Sequence, residues 1–374
     1  MSIPKYLSNS ELKTNLSGLN SDRLIQQVVE VINNSTCTCS KHSNYTVTTL
    51  QTAQIIFSRV VTPVVCGFGI ISNLLNFIVL SHRKLNQSPY TYLQLLAVAD
   101  FCVLFLTFFY NTVSQGSGNK SYFWKIYDSK IFFPVVNIFV TSSIWLTMVL
   151  TIDRFRFVRY PFHAKTLCKR SYAILKSAIV FFASSLENLP KFFMFYVELD
   201  SSGDCYTTQL STFFSNTESL IIRWFHILLV NAIPLVTLTF INFYLVYAVH
   251  QAQKLRRCMQ AKGRQSSSVT DQQRMTVTLI SITFLFIICT TMSAFVNQVI
   301  AVAFYGGPQT VKTPLFKFLR AFSNFLMTVN HSMNFVMYCA FNRKFCRVFR
   351  MTIHRWCSVF GKFSRSKSDT IEHI

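Results

Sequence analysis

Val60 to Ser81 reads VVTPVVCGFGIISNLLNFIVLS, with no Lys, Arg, Asp or Glu anywhere in it. Such a stretch exceeds the roughly 20 predominantly apolar residues that carry an α-helix across a bilayer. Ile131–Ile152, Met275–Val311 and Ala321–Asn342 are equally free of charge. Leu85–Asn119 is broken only by Asp100, and Ile227–Val249 contains Pro234. The weakest segment surrounds Ala173–Tyr196, which carries Lys176, Glu187, Pro190 and Lys191, although Ser177–Leu186 at its centre is uncharged. Counted together, these segments predict an all-α membrane protein, a seven-transmembrane helix bundle. The expected helices span about 55–81, 89–113, 128–158, 172–194, 220–252, 272–304 and 314–341.

The composition agrees. The 374 residues are 51% hydrophobic and 15% aromatic but only 13% charged, too apolar for an ordinary soluble domain. Basic residues near membrane ends stay on the cytoplasmic side. Arg83 and Lys84, Arg154 to Lys176, Lys254 to Arg274 and Arg343 to Lys367 all fall on one side if the N-terminus is outside. The formal charge of +22 therefore reads as membrane topology plus attraction to anionic inner-leaflet lipid, and nucleic-acid binding is not expected. Residues 1–54 read as an extracellular tail, polar and without a folded domain. The glycosylation acceptors Asn15, Asn33, Asn34, Asn44 and, in the first outer loop, Asn119 fit that side. With no apolar signal stretch before them, the first span itself is expected to direct insertion. Residues 342–374 form the cytoplasmic tail, and Phe341–Met351 alternates aromatic and basic residues as a short amphipathic surface helix does.

An ionisable residue in mid-membrane is costly and marks a functional hypothesis by default, which singles out Asp100. Its candidate polar company is Asn73, Ser143, Asn330 and Asn334, all near the middle of their spans. Together they form either a site for a hydrated sodium ion or a proton, or a polar knot that glues helices. No other cofactor is expected. Nothing resembles a catalytic set: His-Glu-x-x-His, a phosphate loop and paired Cys-x-x-Cys are all absent, and Gly67-Phe-Gly69 inside an apolar helix reads as a packing contact. The chain is not expected to be an enzyme.

At the end of the third span stands Asp153-Arg154-Phe155, followed by Tyr160-Pro161-Phe162. With Gly-Ile-Ile-Ser-Asn-Leu-Leu-Asn around Asn73, Leu-Ala-Val-Ala-Asp ending at Asp100, and Asn334-Phe-Val-Met-Tyr338 in the seventh span, this resembles the rhodopsin-type (class A) G-protein-coupled receptors over about Phe57–Met351. Phe335 beside Asn334, and Glu187-Asn-Leu-Pro-Lys-Phe-Phe closing the fourth span, are similar to invertebrate receptors for FMRFamide-like neuropeptides. The resemblance implies an extracellular peptide ligand and a heterotrimeric G protein as partners. It implies that Arg154 is held by Asp153 at rest and released on activation, that Phe162 following Pro161 enters an apolar pocket of the G protein, and that Asn334 and Tyr338 belong to the activation switch.

Several positions depart from the family pattern. The sixth span reads Phe286-Ile-Ile-Cys289-Thr290-Thr-Met292, without the usual Trp and Pro, so a proline kink there is not expected. Asn242 replaces the usual Tyr of the fifth span, and Phe335 the usual Pro of the seventh. Ser129 stands where the family's disulfide cysteine begins the third span, which leaves Cys37 and Cys39 as candidate partners for Cys205. Cys346 and Cys357 are either palmitoylated or free thiols.

Phe132–Val140 holds no acid to pair with an amine ligand, and the seventh span has no mid-helix Lys for a retinal Schiff base. The second outer loop instead supplies Glu198, Asp200, Asp204 and Glu218 with no Lys or Arg between Glu198 and Ile222. These acids, with Glu187 deeper, are either a binding surface for an Arg-containing peptide or a solvated acidic loop. A secondary transporter and a non-signalling receptor-like protein are the competing readings; no repeated halves support the former.

Overall fold

The computed structural model describes residues 49–114, 121–160, 169–199, 206–211, 217–260, 267–297, 300, 313–355 and 358, with backbone alone at 210, 217–220, 223, 255–260 and 267–273. Helices α1 (Thr49–Leu80), α2 (Ser88–Ser114) and α3 (Tyr122–Arg159) come first. Next are α4 (Arg170–Asn188) and an antiparallel hairpin of β1 (Phe195–Leu199) and β2 (Tyr206–Leu210), paired from Phe195↔Leu210 to Leu199↔Tyr206. The continuous helix α5 runs through Thr217–Ile227, Leu228–Ala232 and Ile233–Gln260. Helix α6 is Ser267–Phe295, and α7 is Pro314–Ser332 continued after Met333 by Asn334–Phe341. Residues 343–355 form a last helix, α8.

Packing closes a ring in which α1 lies between α2 and α7, α3 touches α2, α4 and α5, and α6 bridges α5 and α7. The ring is inverted relative to a soluble protein. On α4 the buried stripe is Ala173, Ser177, Val180, Ser184 and Asn188, spaced three or four apart, while Phe182 is 72% exposed and Leu186 61%. Small residues face neighbouring helices, and large apolar ones face the acyl chains. Five of the described helices, α1, α2, α3, α5 and α6, are long and apolar enough to cross a membrane by themselves. Helix α4 is shorter and carries Lys176, and α7 changes course at Met333.

Wide π-helical turns occur at Phe57–Val61, Tyr127–Phe132 and Leu228–Ala232, each just before a proline at the start of the resumed α-helix: Pro63, Pro134 and Pro234. Proline lacks an N–H and its ring meets the carbonyl four residues back. The wider turn moves that carbonyl aside, and bonds spanning five residues replace the lost ones, as from Thr62 N–H to the Phe57 carbonyl. A fourth wide turn, Tyr110–Ser114, has no proline after it.

Several helix boundaries differ from expectation. The first helix starts at Thr49 and not at 55, so 49–54 belong to it and not to the outer tail; the fifth ends at Gln260 and not at 252; and the sixth starts at Ser267 and not at 272. The fourth helix ends at Asn188 and not near 194, because Leu189–Phe193 tightens into a 3₁₀ turn around Pro190. The third starts at Tyr122 and not at 128, which places Asp128 inside the helix and not at its first residue; its Oδ1 accepts from Ser114 Oγ at 2.6 Å. The sixth ends at Phe295 and not at 304. As expected without its Trp and Pro, α6 is one uninterrupted helix to that point. Asn342 starts α8, its Oδ1 accepting the Phe345 N–H at 3.0 Å, and Phe345 and Val348 bury the apolar face.

Candidate functional site

Asp100 is fully buried on α2. Its Oδ1 accepts from Ser143 Oγ of α3 at 2.7 Å and from His331 Nδ1 of α7 at 2.7 Å, and its Oδ2 accepts from Asn334 Nδ2 at 2.6 Å. Ser143 and Asn334 were legible in the sequence; His331 was not singled out. Among the described residues neither Asn73 nor Asn330 reaches the carboxylate. Asn73 of α1 instead donates through Nδ2 to the Gly69 and His331 carbonyls, each at 2.9 Å, and Ser72 Oγ donates to the Ser332 carbonyl at 3.1 Å. Gly69 is required here: a Cβ on it would lie 2.3 Å from Ser332 Oγ. The knot therefore ties α2, α3 and α7 through side chains, and α1 to α7 through backbone carbonyls. Below it, Tyr338 is buried, and its ring lies 5.3 Å from that of Phe345. Phe335 packs edge-on against Phe345 and Phe349, so the residue that replaces the expected proline joins α7 to α8.

At the end of α3, Asp153 is held from two sides. Tyr92 Oη of α2 donates to its Oδ2 at 2.8 Å, and Lys176 Nζ of α4 donates to Oδ1 at 2.7 Å and Oδ2 at 3.0 Å. Helices α2 and α4 thus brace the acid that precedes Arg154. Arg154 is 5% exposed, with its guanidinium 5.5 Å from the Phe157 ring centre. Phe155 packs on Tyr244 of α5 with ring centres 4.9 Å apart. Asn242 of α5 accepts at Oδ1 from Thr283 Oγ of α6 at 2.8 Å, so the residue replacing the family's tyrosine couples these two helices. Pro161 and Phe162 lie outside the described residues.

A second polar cluster closes the end of the bundle that carries the hairpin. Glu187 Oε1 pairs with His226 Nδ1 of α5, and Glu187 Oε2 accepts from Asn188 Nδ2 at 2.7 Å. Lys191, in the turn beyond α4, donates to Asn137 Oδ1 of α3 at 3.0 Å and meets His226 Nε2 at 3.2 Å. Burial pushes the Lys191 ammonium down to about 8, and the Glu187 carboxylate works against that shift. Glu187 is thus already partnered, while Glu198 on β1 is exposed. An apolar groove of about 450 Å³ between α3, α4 and α5, walled by Trp145, Val149 and Ile179, runs from Glu187 to the Asp153–Lys176 pair. The two charged residues of α4 on that groove, Lys176 and Glu187, each have a partner on a neighbouring helix, Asp153 and His226.

Other expectations fall elsewhere. Asp200, Asp204, Cys205, Cys37, Cys39, Cys357 and the acceptor residues Asn15, Asn33, Asn34, Asn44 and Asn119 lie outside the described residues, as does the side chain of Glu218. Ser129, at the place of the missing cysteine, is buried and donates to the Lys125 carbonyl at 2.7 Å. Cys346 Sγ donates to the Cys339 carbonyl at 2.8 Å.

Residues 72–338 match the profile of the 7 transmembrane receptor (rhodopsin family). The FMRFamide receptor of Drosophila melanogaster is 24% identical over 327 residues, covering 84% of this chain and 56% of that receptor. The FMRFamide peptide receptor frpr-18 of Caenorhabditis elegans is 24% identical over 303 residues, 77% of this chain and 67% of the relative. Sex peptide receptor-related protein 2 of the same nematode is 22% identical over 384 residues, 94% of this chain and 84% of the relative. This chain thus spans little more than half the length of the Drosophila receptor. The family match covers well over half of the chain, which belongs to the rhodopsin family of seven-transmembrane receptors.

Proposed function

We propose that this rhodopsin-family chain is a plasma-membrane receptor for an amidated, FMRFamide-like neuropeptide and signals through a heterotrimeric G protein. The N-terminus and the β1–β2 hairpin lie outside; the Arg154 end and the basic tail lie in the cytoplasm, next to anionic lipid. The observation that carries the reading is the buried Arg154 beside an Asp153 braced by α2 and α4. An ordered arginine at the basic end of α3 is a contact kept in store, exposed only when the helices rearrange. The likeness to FMRFamide receptors supports the ligand class.

Peptide binding would draw on acids at the hairpin end. Glu198 is open to a ligand, and with Asp200, Asp204 and Glu218 it gives that end negative charge. Glu187 is already paired with His226, so a ligand guanidinium must compete for it, and that exchange would link binding to the α4–α5 contact. Cells expressing the full chain with a G-protein activation reporter, screened with peptides ending in Arg-Phe-amide, test the whole. At least one peptide should activate the reporter, and Arg154→Ala should abolish the response without loss of surface expression. An unchanged response in Arg154→Ala would contradict the proposal.

A further inference from the structure

We infer that His331 takes the place of a cation at Asp100, so that this buried carboxylate is closed to sodium. The sequence places an acid and several polar residues in mid-membrane, a combination that suits a hydrated sodium ion. The donor set in the folded chain does not. Sodium is a hard cation that needs oxygen lone pairs turned toward it. Around Asp100 the neighbours instead present hydrogens to the carboxylate: the Ser143 hydroxyl and the His331 Nδ1–H to Oδ1, and the Asn334 amide to Oδ2. The imidazole, at 2.7 Å from Oδ1, stands where an ion bound to that oxygen would stand.

Moving the ring aside would be costly. His331 is 2% exposed and Asp100 0%. The backbone under the ring is clamped to α1 by Asn73 on the His331 carbonyl and Ser72 on the next one. Gly69 lets α7 approach α1 closely there, since a Cβ on it would lie 2.3 Å from Ser332 Oγ. The two expected oxygen donors that would complete an ion shell, Asn73 and Asn330, do not reach the carboxylate among the described residues. A bound ion could leave such a knot; a side chain cannot, so α2, α3 and α7 are joined here by a permanent part of the chain. The inference stands apart from the signalling reading, because its test measures ion binding alone.

Thermal unfolding of the purified full-length chain in detergent tests it, with NaCl replaced stepwise by N-methyl-D-glucamine chloride at constant ionic strength. The wild-type Tm should not respond to the exchange. His331→Ser, which puts a hydroxyl oxygen in place of the ring, should be less stable in N-methyl-D-glucamine and gain a saturable sodium-dependent rise of about 2 °C or more. His331→Ala serves if the serine variant does not fold, and if neither folds the wild-type titration decides. A flat wild-type titration supports the inference. A saturable, sodium-specific rise in the wild type that Asp100→Asn abolishes would overturn it, as would a folded His331 variant equally indifferent to sodium.

Discussion

Among the described residues two carboxylate–histidine pairs join helices of this bundle, and they differ mainly in their solvent. Asp100 and His331 have side chains 1% and 2% exposed; Glu187 and His226 have 14% and 25%. In the first pair every carboxylate contact comes from a buried side chain inside the bundle, out of reach of bulk water. In the second, Lys191 shares the histidine and solvent reaches both partners. The same chemistry therefore makes a fixed joint at the centre and an exchangeable one at the hairpin end, where a cationic peptide is proposed to bind.

The largest effect should come from breaking the central pair. Asp100→Ala leaves His331, Asn334 and Ser143 without their acceptor and should cost about 3–5 kcal/mol in all, since each buried polar group left unpaired costs about 1–3 kcal/mol. It should read as low surface expression and a lowered Tm in detergent. Next, Lys176→Met removes one brace from Asp153 and should cost about 1–3 kcal/mol. Because that brace holds the resting arrangement, ligand-independent G-protein signalling should rise roughly fivefold per 1 kcal/mol of bias lost; unchanged basal signalling would show that Tyr92 alone suffices. Glu187→Gln should be milder, about 1 kcal/mol in stability, while weakening the potency of an Arg-containing peptide more than that of its citrulline analogue.

The smallest effect concerns pH at the hairpin end. The folded Lys191 ammonium titrates near 8, below its ordinary 10.5. Between these values the unfolded chain holds the extra proton, so stability rises with pH across the window, and the burial cost is present in full below about 8. Lys191→Met should flatten that slope in a Tm-versus-pH series, whereas the central pair should be unaffected by the substitution.

The central joint was largely legible because a lone acid in an uncharged span announces itself, and Ser143 and Asn334 stand at matching depth on neighbouring helices. His331 escaped because a search for formal charge passes over histidine, and the neighbouring amides drew attention to Asn330. Helix α4, its partners and the hairpin beyond it were harder to read. Lys176 and Glu187 weakened α4 as a span when counted as isolated charges; their partners, Asp153 and His226, lie 23 and 39 residues away along the chain. The β1–β2 hairpin lies in what reads as the acidic second outer loop, although Phe195–Leu199 and Tyr206–Leu210 are rich in the aromatic and β-branched residues that favour strands. The pairing of Tyr92 with Asp153 had no local signal, since a tyrosine in an apolar helix reads as membrane packing.

Epitope labelling of the two termini on intact and permeabilised cells tests the seven-crossing bundle most directly. An N-terminal tag should be labelled on intact cells and a C-terminal tag only after permeabilisation. Labelling of both tags on the same side of the membrane would contradict it, because the Glu187–His226 pair and Arg154 would then no longer sit at opposite faces of a bundle with seven crossings.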